Sequence, residues 1–538
     1  MQLRRLGGVL GGPAPSALEQ ELCMIEQFPG AARLSRRNFL ALAGLGAVAT
    51  AAACSRGGGA GPAATAVGPD SAAVRTAEQV RRANIGTGNT VTASLNAGPT
   101  RIDLGGVQVD TWAYNGRIPG REIRLRRGDL LRAELTNDLP AESTIHWHGI
   151  ALRNDMDGVP GLTQPAIAPN SPFTYEFLVP DAGTHWLHPH VGMQFDRGLY
   201  APVIVEDPAD GADYDLEAIL VLDDWLDGVA GRTPELQLEA LRRGGMPMSR
   251  MGMDHGGMNG MGMGAQADPA NPLGADTGDV DYPYYLINGT LGADPFSVRA
   301  RPGQRVRLRI INAGADTAFR LAVGGHQLTV THSDGYPVQP VTGSSLLIGM
   351  GERFDAIVTL GDGVFPLVAS AEGKQGQGFA VIRTGAGGRL DPAIRPAELD
   401  APPITGLALR SREEVRLGLR GPDRVHDLLL GMDMSGYRWT INGTVFDEHT
   451  PLEITEGQRV RLRFVNQTMM FHPMHLHGHT FQVVGDHGAG ARKDTTLVLP
   501  NQTVEVDLDA DNPGQWLVHC HNLYHGEAGM MTTLSYTE

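Results

Sequence analysis

The segment His519-Cys520-His521-Asn522-Leu523-Tyr524-His525-Gly526-Glu527-Ala528-Gly529-Met530 brings a thiol, three imidazoles and a thioether together within twelve residues. On a β-strand successive side chains point to opposite faces, so residues i and i+2 share one. His519 and His521 would therefore reach one way while Cys520, wedged between them, reaches the other. One short strand then serves two metal sites joined by covalent bonds. Cys520, His525 and Met530 are three of the four donors of a blue-copper centre, whose set is two imidazoles, a thiolate and a weak axial thioether. The second imidazole must come from elsewhere in the chain, and His472 in HPMHLHGH supplies it.

That upstream motif also carries His475 and His477, again at i and i+2. Two earlier pairs have the same spacing: His146 and His148 in IHWHG, and His188 and His190 in HWLHPH. A solitary pair would mean little, because surface histidines pair by chance. Four pairs give eight imidazoles, too many for one copper and enough for three.

IHWHG, HWLHPH, HPMHLHGH and HCHNLYHGEAGM together resemble the four copper motifs of the three-domain multicopper oxidases, the laccase and cuprous-oxidase family. The resemblance runs from about residue 85 to the end of the chain. It implies four coppers: a type 1 ion at His472, Cys520, His525 and Met530, and a type 2 ion at His146 and His475. The paired type 3 ions would take His148, His188, His190, His477, His519 and His521. It further implies an oxidoreductase that draws single electrons from a reductant and reduces dioxygen to water. All twelve ligand positions are filled, which argues against relatives that keep only the scaffold. Asp157, in NDMDGVPG, matches the family's acid beside the three-copper cluster, where a carboxylate passes protons. The alternative is a turn Asp before Gly158. The family often has a second acid directly after the type 1 His, where this chain has Gly526, so Glu527 one position later is the candidate for that role.

Other histidines and sulfurs need separate readings. His185, His479 and His487 lie near ligands without occupying ligand positions, and His479 is expected to orient a neighbour by hydrogen bond. His326, His332, His426 and His449 read as ordinary surface or core residues. From Met246 to Met263 seven methionines and His255 lie among glycines. Thioethers are soft ligands that favour Cu(I), and spaced methionines on a Gly-rich chain can capture and release it. The plain alternative is a low-complexity insertion. Met432, Asp433, Met434 and Asp447, upstream of His472, form a second candidate site for substrate Cu(I). Cu(I) is thus the favoured reductant, phenols or aromatic amines the alternative. A lipid-tethered copper store or an envelope scaffold is the non-enzyme reading.

The elements that position these residues are legible as a threefold repeat. Asn115-Gly116, Asn288-Gly289 and Asn442-Gly443 each open a copy as a hairpin turn. A glycine follows (Gly128, Gly303, Gly457), then a strand of alternating Arg and apolar residues closing on Asn137, Asn312 or Asn466. Nine and eleven residues past the closing Asn stand His146 and His148, Leu321 and Val323, or His475 and His477. Likewise Gly183 and Gly514 precede a pair by five residues, whereas Gly363 precedes Val368 and Ser370. Copper therefore belongs to copies one and three, and the three-copper cluster must bridge them. Abundant glycine and proline (71 and 35 residues) and the absence of long helical periodicity fit short strands and turns. The predicted fold is all-β, three cupredoxin-like Greek-key sandwiches at residues 85–208, 216–385 and 405–538, with a Pro-rich linker before the third.

A net charge of −16 offers no basic platform, so nucleic acid is not an expected partner. It permits weak, salt-screened attraction of a cation. Of three cysteines, Cys23 and Cys54 lie near the N-terminus and Cys520 is spoken for, leaving no pair for a disulfide in the folded body. Residues 1–53 read as a twin-arginine export region, with Ser35-Arg36-Arg37-Asn38-Phe39-Leu40 followed by an apolar run too short to span a membrane. Met24 is a plausible alternative start. Ala51-Ala52-Ala53-Cys54 resembles a lipoprotein cleavage site, although Leu is missing three residues before the Cys, and Cys54 is the expected lipid anchor. Cleavage without lipid is the alternative. Residues 54–84 read as a flexible tether, and the expected location is extracytoplasmic.

Overall fold

The computed structural model describes residues 65–207, 209, 213–244, 271–433, 436–485 and 488–538. The twin-arginine run, Cys54, the methionine-rich stretch 246–263, Met434 and His487 lie outside the described residues.

The alternating strands form as their patterns require. In Arg459–Asn466, Val460, Leu462 and Phe464 are fully buried, while Arg459 and Arg461 lie on the other face and pair with Asp509 and Asp507 on the neighbouring strand. Six sheets result, paired into three sandwiches. The middle one sets a six-stranded sheet against a five-stranded one. The first sheet runs Tyr284–Ile287, Leu216–Trp225, Arg305–Asn312, Arg353–Thr359, Leu328–Ser333, Tyr336–Gly343. The second runs Phe296–Arg299, Gln377–Arg383, Val364–Ala371, Phe319–Val323, Ser345–Ile348. The third sandwich repeats this order strand for strand, and the first has counterparts of only the leading four strands of each sheet in the order given. The fold is therefore all-β with a common topology in three copies.

The repeat signals have equivalent jobs in each copy. Asn115, Asn288 and Asn442 hold φ of 54°, 54° and 55°, followed by glycines at 67°, 74° and 79°, which makes two-residue turns with both centres left-handed. The closing asparagines donate their side-chain amides both to the loop that leads to the next strand and to a second, more distant segment. Asn137 reaches Ala141 and Ile167, Asn312 reaches Thr317 and Ile348, and Asn466 reaches Met470 and Val498. That clamp sets where the ligand-bearing strand begins.

Two expectations need correction. Opposite Leu321 in the ladder stands Ala369, not Val368, whereas His146 faces His188 and His475 faces His519. The middle copy has one extra residue between Gly363 and the paired position, so counting from the glycine slips the register. Leu321, Val323 and Ala369 all lie in the hydrophobic core. Residues 65–84 are also not a free tether. Thr65 and Val67 bond to the C-terminal strand, and Ala72–Ile85 is a helix capped by Ser71. Its Glu78 is buried, bonds the Leu178 N–H at 3.0 Å and pairs with Arg82 at 2.9 Å. The third sandwich's first strand starts at Arg424; before it, residues 404–411 bond along the middle sandwich through Ile404 and Ser411.

Candidate metal centre

His146–His148 pairs antiparallel with Gly183–His188, and His472–Leu476 with Gln515–Cys520. One pair of ligand strands belongs to the first sandwich and one to the third, and their histidines interleave at the seam. His146 stacks on His477 at 3.7 Å between ring centroids, and His148 on His475 at 3.8 Å. His190 meets His477 and His519 edge-on, each at 5.0 Å, and His521 meets His148 at 4.9 Å and His188 at 5.3 Å. All eight predicted imidazoles come together.

Hydrogen bonds fix which nitrogen is free in four of the rings. His146 Nδ1 donates to the Asp157 carbonyl (3.0 Å), His475 Nδ1 to the Asp494 carbonyl (2.9 Å), His477 Nδ1 to Asp157 Oδ2 (2.9 Å) and His519 Nδ1 to the Cys520 carbonyl (2.9 Å). A carbonyl or carboxylate can only accept, so the proton sits on Nδ1 and Nε2 presents a lone pair. Yet His475 Nε2 lies 3.4 Å from His146 Nε2, and His477 Nε2 lies 3.1 Å from His519 Nε2. Lone pair faces lone pair, an arrangement a metal cation resolves. His148 Nδ1, His188 Nε2 and both nitrogens of His521 are buried without partners and fit the same conclusion. Burial, reinforced by neighbouring imidazoles, holds His148, His188, His190, His477, His519 and His521 well below the ordinary range, hence neutral as ligands must be.

On the other face of the same strand, Cys520 Sγ lies 3.6 Å from His472 Nδ1 and 3.7 Å from His525 Nδ1, which are 3.1 Å apart. The outer nitrogens are taken: His472 Nε2 by Thr468 Oγ1 at 2.8 Å, His525 Nε2 by Asp279 Oδ2 at 3.0 Å. Met530 is fully buried and tied back by hydrogen bonds from the Cys520 N–H to its carbonyl and from its own N–H to the His525 carbonyl. Trp439 stacks on His525 at 3.9 Å. Burial pushes the Cys520 thiol up, so a thiolate here calls for a metal's positive charge. His472, Cys520 and His525 bring together the two imidazoles and the thiol of a blue-copper set, and Met530 is bonded through its backbone to two of the three.

The acids differ in setting. Asp157 is buried between His146 and His477. Glu527 lines a narrow cavity of about 20 Å³ that reaches His188, His190, His519 and His521, and burial pushes its carboxyl up. His479 stands behind His477, bonding its carbonyl at 3.2 Å and the Tyr536 hydroxyl at 2.7 Å. His185 is buried beside the seam, while His326, His426 and His449 bond to nearby backbone and His332 to Thr331. Met432 packs against the core, Asp433 pairs with Arg438 at 3.7 Å and Asp447 is exposed. Neither acid joins a His, Cys, Asp or Glu cluster suited to a metal among the described residues.

Sequence reasoning missed Asp279, Arg353 and Asp494, all of which contact the site from outside the ligand motifs. Asp279 sits in the acidic run DTGDVD and Asp494 follows Lys493, where a solvated turn is the ordinary reading.

Two such sites joined through one cysteine, on three sandwiches of common topology, define a copper-dependent oxidase. Family models described as multicopper oxidase match residues 97–210, 217–387 and 422–538. The chain is 49% identical to the multicopper oxidase MmcO of Mycobacterium tuberculosis, over 94% of this chain and 97% of that one. It is 29% identical to a copper resistance protein A homolog of Pseudomonas syringae pv. tomato, over 81% and 90%. The solved laccase of Botrytis aclada superposes with a TM-score of 0.67 at 25% identity, covering 89% of this chain and 93% of that one. The chain belongs to the multicopper oxidase family, oxidoreductases that bind four coppers of types 1, 2 and 3 and use oxygen.

Proposed function

We propose that the chain is an extracytoplasmic copper-tolerance oxidase that takes electrons from Cu(I) and couples them to the four-electron reduction of dioxygen to water. In this reading His472, Cys520, His525 and Met530 hold the type 1 copper, and His146 and His475 the type 2 copper. His148, His188, His190, His477, His519 and His521 hold the type 3 pair. When bound, copper supplies single-electron acceptance and the reduction of oxygen. The chain's own residues do the rest. Cys520 and its bonded neighbours His519 and His521 form a covalent path between the two sites. Asp157 orients His146 and His477 and offers a carboxylate for protons. Glu527, whose carboxyl is pushed up by burial, stands at the cavity leading to His190 and His521, where it can pass a proton.

The observation that carries the choice of substrate is the carboxylate at the outer edge of His525. Asp279 bonds its Nε2, and a groove of about 560 Å³ alongside is lined by Asp276, Asp281, Tyr282, Tyr285 and Lys374. Carboxylates at this edge suit a cation. The described flanks of the methionine-rich stretch each touch a segment that carries a type 1 ligand. Arg242, near the end of the helix Pro234–Gly244, donates to the Glu527 carbonyl at 2.7 Å, and Asp276 bridges to Met470. The twin-arginine pattern supports export, and Cys54 is the point at which we place a lipid anchor. The laccase reading rests on the likeness to the Botrytis aclada enzyme.

Oxygen uptake measured side by side with Cu(I) and a phenol tests this. Cu(I) should be turned over at the lower concentration, and deleting Met246–Met263 should cut Cu(I) oxidation while phenol oxidation falls little. Faster phenol turnover, or equal losses on both substrates, would overturn the cuprous reading.

A further inference from the structure

We propose that the middle sandwich, which brings no ligand pair, selects the metal-binding nitrogen of His148 through Arg353 acting on Asp494. This inference rests on the copper assignments above and makes Arg353 a positioning residue for the three-copper cluster.

Arg353 opens the strand Arg353–Thr359 and its guanidinium is fully buried. Nη1 and Nη2 grip the two oxygens of Asp494 at 2.6 and 2.5 Å, a bidentate pair across to the third sandwich. Nε donates to the Thr184 carbonyl of the first sandwich at 3.0 Å, and Nη1 also to the Gly351 carbonyl at 3.1 Å. One side chain thus ties together all three sandwiches, four residues before His188 in the first and directly at the ligand shell in the third.

The consequence falls on His148. Asp494 Oδ1 meets His148 Nε2 at 3.1 Å; the hydroxyl of Thr495, 3.2 Å from the same nitrogen, donates its one proton to that carboxylate at 2.9 Å and so can only accept from Nε2. A carboxylate held by a guanidinium only accepts, so the His148 proton belongs on Nε2 and Nδ1 is the lone pair. His148 Nδ1 is buried without a partner. In His146, His475, His477 and His519 the assignment is the reverse, with Nδ1 bonded to oxygen. Among these bonded rings His148 is the exception, and the Arg353–Asp494 pair makes it so.

Backbone at two glycines leaves room for this arrangement. Gly149 follows His148 at φ +85°, and a side chain there would run into Arg353 Nη2 and Asp494. Gly351 stands at φ +80°; a methyl group on it would lie 2.8 Å from His521 Cδ2 and 3.1 Å from His148 Cε1. The middle sandwich therefore presses bare backbone onto two rings from its neighbours while Arg353 sets the proton on one of them.

The test uses the full chain with three variants. Arg353→Met removes the clamp. Arg353→Lys keeps a buried positive charge but replaces the rigid fork with one ammonium. Arg320→Met breaks a comparable buried pair of the same sandwich, whose partners are Glu372 and Leu399. With copper loaded, both Arg353 variants should keep the blue colour of the Cys520 site and alter the electron paramagnetic resonance spectrum of the type 2 copper, whose ligand His475 bonds the Asp494 carbonyl. They should also lose cluster copper to a chelator about 10- to 100-fold more readily than wild type. Arg320→Met should match wild type. If Arg353→Met does not fold, Arg353→Lys carries the comparison. In the copper-free chain, ring-nitrogen nuclear magnetic resonance should find the His148 proton on Nε2 in wild type and not so held in the variants. Wild-type retention and spectra in an Arg353 variant, equal losses in Arg320→Met, or a wild-type proton on His148 Nδ1 would each overturn the proposal. A wild type that never holds four coppers would fail the copper assignments instead, and the proton position in the copper-free chain still judges the clamp.

Discussion

Asp279 of the middle sandwich and His525 of the third meet at 3.0 Å, carboxylate oxygen to imidazole Nε2, and the Tyr437 hydroxyl donates to the same oxygen at 2.5 Å. The contact joins the outer edge of the cysteine-centred site to an acid that the ligand motifs do not contain. Asp279→Asn keeps the shape and removes the charge. Steady-state kinetics should show KM for Cu(I) rising about tenfold, the equivalent of 1.4 kcal/mol, with phenol turnover changed less. Unchanged KM for Cu(I) would remove Asp279 from the substrate path.

Cys520 is bonded directly to His519 and His521 and so gives the shortest covalent path between the two sites. Cys520→Ser should abolish the thiolate charge-transfer colour and the turnover. The all-β circular dichroism spectrum should stay, because the serine fills nearly the same buried space. A wild type that is colourless with its copper complete would refute the type 1 assignment.

The equivalent positions His475 and Leu321 should answer differently to the same truncation. His475→Ala should lose oxygen reduction while substrate still bleaches the blue colour. Leu321→Ala should retain all copper and instead lower stability by about 2–5 kcal/mol, as a buried leucine cut to a cavity does. Copper analysis and denaturant unfolding on both variants decide the matter. Copper loss from Leu321→Ala would break the repeat argument.

His185 supplies a pH signature. Burial, aided by Arg353, pushes it down to about 3, against an ordinary value of 6.5. Below pH 6.5 the unfolded chain takes up a proton that the folded chain refuses, so this residue costs stability as pH falls from 6.5 towards 3. His185→Phe removes that cost. Its unfolding free energy relative to wild type should therefore rise on acidification by roughly 1.4 kcal/mol per pH unit between pH 6.5 and 4.5. A difference that stays flat with pH would show that His185 is protonated in the fold.

Which residues bind, and which way they face, was written locally. Alternation along a strand has period two, so His519, Cys520 and His521 had to divide between opposite faces wherever that strand lay. The Asn-Gly turns and closing asparagines marked the three copies for the same reason, since turn geometry depends on adjacent residues. The glycine count in the middle copy failed by one residue because a local count cannot see the ladder partner, and Ala369 is defined by Leu321. The helix Ala72–Ile85 was hidden behind a Gly- and Ala-rich run, its order coming from Glu78 reaching a strand end a hundred residues away. Contacts between sandwiches were decided only by tertiary packing. His146 stacks on His477, Asp279 caps His525, and Arg353 grips Asp494 across separations of 331, 246 and 141 residues. No spacing rule operates over such distances; there the faces that bury together determine which side chains meet.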